Sequence, residues 1–201
     1  MIEINSYSST HSFGSNTYIV FSESECIIID PSIPFNRSLL REHRPRYIIL
    51  THAHFDHFLD IDSWQAETGA TVLVSDRDRP ALSDPFRNCY RLFLGADKGY
   101  FGECTSVSDG DLLLVGDDAF KIIGCPGHTP GSVTILFDGH AFVGDTVFAG
   151  GGYGRYDLPG GDPDSLLASI RAISALPDDT VLYPGHGEAT TVKEYKKYFH
   201  I

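Results

Sequence analysis

The stretch Thr51-His52-Ala53-His54-Phe55-Asp56-His57 constrains this chain more than any other. Three histidines and a carboxylate fall within six residues, directly after the apolar run Tyr47-Ile48-Ile49-Leu50. Imidazole and carboxylate are the ligand types of zinc, iron and manganese, and such dense packing of them serves little else. With nine histidines in 201 residues, an accidental polar cluster is the weaker reading.

Three further places repeat the theme. Gly127-His128-Thr129-Pro130-Gly131 follows the apolar run Ala119 to Ile123, Gly144-Asp145-Thr146 follows Ala141-Phe142-Val143, and Gly185-His186-Gly187 follows Val181-Leu182-Tyr183-Pro184. Each puts one candidate ligand just past the end of a predicted strand, in a turn whose glycines permit tight backbone angles and close approach. Loops at the rim of a sheet are where rigid scaffolds present chemistry. Four such rims converging supply His52, His54, Asp56, His57, His128, Asp145 and His186, a set large enough for two metal ions.

Composition sets the frame. A hydrophobic fraction of 42% with 21% charged residues suits one globular domain over residues 1–201. No apolar run approaches the roughly 20 residues of a membrane-spanning helix, and Met1-Ile2-Glu3-Ile4-Asn5 lacks the basic start of a signal peptide, so a cytoplasmic protein without a membrane partner is expected. The formal charge of −12 argues against nucleic-acid binding. Arg37, Arg41, Arg44 and Arg46 gather near a predicted helix and read as a solvated face. Cys26, Cys89, Cys104 and Cys125 show no paired spacing, which fits a reduced chain. Cys26 reads as core, and Cys125 as a neighbour of the metal ligands at most.

Strands are expected at 16–21, 26–29, 47–50, 71–74, 112–115, 119–123, 133–137 and 141–143. Helices are expected at 36–44, at 58–68 with Gly69 as its stop, after the cap Asp162-Pro163, and at 192–199. Alternating strands and helices argue for the α/β class. Residues 75–106 read as a glycine-broken aromatic loop that packs under itself or covers the site.

In order and spacing, His-x-His-x-Asp-His, Gly-His-Thr-Pro-Gly, Gly-Asp and Pro-Gly-His-Gly resemble the motifs of the metallo-β-lactamase superfamily. That resemblance implies a four-layer αβ/βα sandwich of two mixed β-sheets flanked by helices. It implies two divalent ions, zinc first, with iron or manganese as alternatives. His52, His54 and His128 would bind one ion, Asp56, His57 and His186 the other, and Asp145 both. Asp56 and Asp145 would be the catalytic carboxylates around a bridging hydroxide, and Asp30 would orient a ligand from beneath.

Asp145 and His57 together, and the run Gly154-Arg155-Tyr156-Asp157, look like the single-domain glyoxalase II-like (hydroxyacylglutathione hydrolase-like) branch rather than the penicillin-hydrolysing or RNA-processing ones. The implied partner is a small-molecule thioester such as S-lactoylglutathione, or a related ester, met by Arg155, Tyr153 and Phe58. Only 15 residues follow His186, so no counterpart of the helical glutathione-binding domain of larger relatives is expected. A mononuclear iron persulfide dioxygenase, a lactonase or phosphoesterase, and a non-enzymatic metal-binding module are the alternatives. Nothing in the sequence speaks to oligomeric state.

Overall fold

A computed structural model describes residues 3–199. The first half of the chain builds one sheet from β1 (Glu3–Ser8), β2 (Asn16–Ser22), β3 (Glu25–Ile29), β4 (Arg44–Ile49), β5 (Thr71–Ser75) and β6 (Cys104–Val107). The strands lie in chain order. The β1–β2 and β2–β3 junctions are antiparallel and the other three parallel. Helix α1 (Ile61–Thr68) joins β4 to β5, and the short helices α2 (Arg79–Leu82) and α3 (Tyr90–Leu94) lie between β5 and β6.

The second half contributes β7 (Leu112–Val115), β8 (Asp118–Gly124), β9 (Val133–Phe137), β10 (His140–Gly144), a small ribbon of β11 (Val147–Phe148) and β12 (Gly152–Tyr153), helix α4 (Pro163–Ser174), β13 (Val181–Pro184), β14 (Thr190–Thr191) and helix α5 (Val192–Lys196). The second sheet has the order β14-β13-β10-β9-β8-β7. It is mixed too, because α4 carries the chain across so that β13 runs parallel to β10.

Alternation along the strands sorts side chains into layers. In β2, Tyr18 and Val20 face the second sheet and meet Phe120, Ile122, Ile135 and Phe142. Ile19 and Phe21 face the other way, toward Ile61 and Trp64 of α1. A third apolar layer joins the outer face of the second sheet to α4 and α5 through Val143, Leu166, Ile170 and Tyr195. The fold is the expected sandwich of two mixed sheets between helical layers. No helix among the described residues is long and apolar enough to cross a membrane.

Some elements differ from the sequence expectation. The helix expected at 36–44 is only a 3-10 turn, Arg37–Leu40, capped by the Asn36 side chain. Arg41 and Glu42 then adopt left-handed angles and Arg44 begins β4. Pro45 sits inside that strand opposite a register shift at Cys26/Ile27, a place where its missing N–H is tolerated. The helix expected from 58 begins at Ile61, and the last one ends at Lys196. The irregular stretch 75–106 holds α2, α3 and β6. Asp162 does cap α4, accepting from the Ser165 N–H at 2.7 Å.

Candidate metal centre

The histidines and carboxylates singled out in the sequence come together where the two sheets meet. Past the end of β4, the chain runs through Thr51–His54 into a 3-10 turn, Phe55–His57. His128 lies on the β8–β9 loop, Asp145 follows β10, and His186 follows β13. Three sets of donor atoms fall within 4.8 Å of one another: His52, His54 and His128; His52, His57 and Asp145; Asp56, His57 and His186. Asp145 lies between them, Oδ1 3.4 Å from His57 Nε2 and Oδ2 3.6 Å from His128 Nε2 and 3.7 Å from His186 Nε2. His186 Nε2 is 3.1 Å from Asp56 Oδ2.

Hydrogen bonds behind the histidines assign their tautomers. Asp30, buried and at φ +52, accepts from the Thr51 N–H (2.8 Å), the Thr51 hydroxyl (2.7 Å) and His57 Nδ1 (2.8 Å). With its proton on Asp30, Thr51 Oγ1 is free to accept from His52 Nδ1 at 3.1 Å. His128 Nδ1 donates to the Arg155 carbonyl at 2.7 Å. In His52, His57 and His128 Nδ1 therefore carries a proton, and Nε2 is the atom that points inward. His128 Nε2 then lies 3.2 Å from His52 Nε2 and 2.9 Å from His54 Nδ1. The His52 and His128 Nε2 lone pairs facing each other at 3.2 Å repel unless a cation sits between them. His57 Nε2 and Asp145 Oδ1 are buried without any hydrogen-bond partner. This donor set fits divalent metal ions.

Charge is distributed to match. Burial, reinforced by neighbouring imidazoles, holds His52 far below the usual histidine value, and burial with His128 beside it brings His54 to about 3. Burial works against charge on His57 too, but Asp30, Asp145 and Asp56 outweigh it and raise its value, so that a cation bound at Nε2 would take the place of a proton there. Burial likewise opposes charge on Asp145 and Asp56, yet the surrounding histidines, His57 foremost, keep both ionised and lowered.

Other residues in this framework gave no sequence signal. Asp78 accepts from the Ala53 N–H (3.0 Å), the Thr129 hydroxyl (2.7 Å) and the Gly131 N–H (2.7 Å), tying the loop of His52–His57 to that of His128. Asn16 donates to the Pro184 and Gly187 carbonyls, and the Tyr18 hydroxyl to Pro184, tying the His186 turn to β2. A Cβ at Gly185 would overlap Asp145 Oδ1 and His57 Cε1, so only glycine fits there.

A cavity of about 300 Å³ opens above the cluster. Tyr153 and Arg155 line it, as do Phe93 and Cys89 from the stretch 75–106. Phe58 does not: it is 1% exposed and packs in the layer beneath the first sheet, because the turn before α1 points it inward. The Arg155 guanidinium makes two bonds to Asp157, 2.9 and 2.8 Å. Cys26 is core, and Cys125 lies in the outer layer 3.3 Å from the Thr134 hydroxyl rather than against the histidines.

Comparison with known proteins agrees with this geometry. The family model described as the metallo-beta-lactamase superfamily matches residues 12–186. Hydroxyacylglutathione hydrolase GloC of Haemophilus influenzae is 29% identical over 194 residues, covering 92% of this chain and 91% of its own. Among solved structures, the BLEG-1 B3 metallo-beta-lactamase superposes with a TM-score of 0.88 at 29% identity, covering 97% of both chains. TTHA1623 in a di-iron-bound form superposes at 0.83 and 29% identity, covering 96% of this chain and 98% of that one. With the motifs, the two mixed sheets and the clustered histidines all in agreement with that match, the chain belongs to the metallo-beta-lactamase superfamily.

Proposed function

We propose that this chain, a metal-dependent hydrolase of that superfamily, holds two divalent ions and cleaves a thioester or closely related ester. The observation that carries the reading is the pair of donor sets joined through Asp145 at the floor of a cavity. His52, His54 and His128 would hold one ion, Asp56, His57 and His186 the other, with Asp145 shared. Bound there, the ions would bring the pKa of water from about 15.7 toward 7 and polarise the substrate carbonyl. Asp30 keeps His57 Nε2 aimed at the site, and Asp78 keeps two ligand loops in register. The placement of His186 beside Asp56 supports a second ion, for which a mononuclear dioxygenase has no use.

The likeness to GloC, named as a hydroxyacylglutathione hydrolase, supports a thioester, and S-lactoylglutathione is a test substrate of that kind. The N/O donor set suits zinc, and the di-iron relative makes iron the competing metal. The experiment is hydrolysis of S-lactoylglutathione by zinc-loaded and by iron-loaded protein. Turnover that disappears on chelation and returns with metal is expected. Metal-independent turnover, or none on any thioester or ester, would contradict the reading. The likeness to BLEG-1 favours a second reading, hydrolysis of a β-lactam amide, which a chromogenic cephalosporin tests in the same assay.

A further inference from the structure

The walls of the cavity differ in chemistry from its floor. Phe13, Phe93, Phe148, Tyr153 and Leu158 face the opening. Phe13 packs on Phe55 and Phe93 with ring centroids 6.2 and 5.7 Å apart. These rings come from the β1–β2 loop, the turn after β4 and helix α3, so one apolar wall is assembled from three separate segments. Among the described residues, Arg155 is the only lysine or arginine lining the cavity. Its guanidinium lies 5.9 Å from the Phe93 ring centroid and is gripped by both oxygens of Asp157. A carboxylate arriving there would lose hydration against aromatic rings and find the one arginine of the lining already paired with Asp157.

We propose that the cavity selects substrates whose group against the Phe13–Phe93 wall is uncharged and apolar, and that Asp157 enforces this by occupying Arg155. The inference rests on the hydrolase reading for its reaction, but its binding preference can be measured separately. Asp157 is 61% exposed and its pair with Arg155 likewise open to solvent. Such pairs contribute little stability, so Asp157→Asn leaves a folded protein in which Arg155 is free.

The test uses two thioethers that cannot be hydrolysed: S-benzylglutathione, which carries carboxylates, and the neutral S-benzyl thioether of N-acetylcysteamine. Binding of each to the metal-loaded protein is measured by calorimetry, for wild type and Asp157→Asn. Wild type is expected to bind the neutral compound about tenfold more tightly or better. In Asp157→Asn the gap narrows through tighter binding of S-benzylglutathione, whereas a merely loop-bracing Asp157 would shift both compounds alike. Equal or tighter binding of S-benzylglutathione by wild type, no binding of either compound, or an unchanged gap in the variant overturns the proposal. A neutral preference in a protein that turns over no thioester would sustain it and remove the thioesterase reading. Turnover with a glutathione preference would do the reverse.

Discussion

Asp145 directs one carboxylate oxygen toward His57 and the other toward His128 and His186, so its loss strips both proposed ion sites at once. Asp145→Ala is expected to lose bound metal and hydrolysis together, read by elemental analysis beside the assay. Asp78 binds no ion in this account, yet it satisfies two backbone N–H groups and a hydroxyl while itself buried. Asp78→Ala leaves those donors unpaired, and is expected to destabilise the fold by about 2 kcal/mol, seen as a lower denaturation midpoint. The two residues also mark what one chain of letters discloses. Asp145 stood out because glycine and a strand end framed it beside similar motifs. Asp78 resembles any loop aspartate until tertiary packing brings Gly131, 53 positions away, to its carboxylate, and Asn16 is separated from Gly187 by 171 positions.

At the scale of elements, long apolar strands such as β2 and β3 were legible because nearly every residue is buried between layers. β1 was missed, since an edge strand reading Glu-Ile-Asn-Ser-Tyr-Ser has no apolar run. Helices α2 and α3, at four and five residues, are too short to establish a period. The cap of α4 was legible, and Asp162→Ala is expected to cost about 1 kcal/mol in chemical denaturation. Glu25 links elements of both sheets. The Gly116 N–H donates to it at 3.0 Å, and Arg44 and Arg46 pair with it. Together they lower its pKa from 4.5 to about 2, the Gly116 bond contributing most. A lowered folded-state value adds stability that is complete above pH 4.5 and lost as pH falls toward 2. Denaturation of Glu25→Gln across that window should lack this part of the wild-type decline, and an identical decline would show that the link contributes nothing.

For the whole molecule, the centre is a property of the sandwich rather than of either half. His52, His54, Asp56 and His57 follow a strand of the first sheet, while His128, Asp145 and His186 follow strands of the second. Neither sheet alone supplies a complete donor set, so folding assembles the site and metal binding should stabilise the fold in return. Chelation is therefore expected to lower the melting temperature. Metal at about 100 times its dissociation constant adds about 2.7 kcal/mol for each site, and an unchanged melting temperature would separate the cluster from metal binding. The four motifs made this convergence readable in advance, because each lay just beyond an apolar run. The aromatic wall was not readable, since Phe13, Phe55 and Phe93 share no motif and meet only when α3 packs over the β1–β2 loop.

The most direct test of the central claim is a count of metal ions per chain by elemental analysis, with S-lactoylglutathione hydrolysis followed on the same sample. About two ions per wild-type chain, falling with activity in Asp145→Ala, is the result expected of two sites sharing one carboxylate. A single ion per chain, or full metal content and turnover surviving in Asp145→Ala, would contradict it.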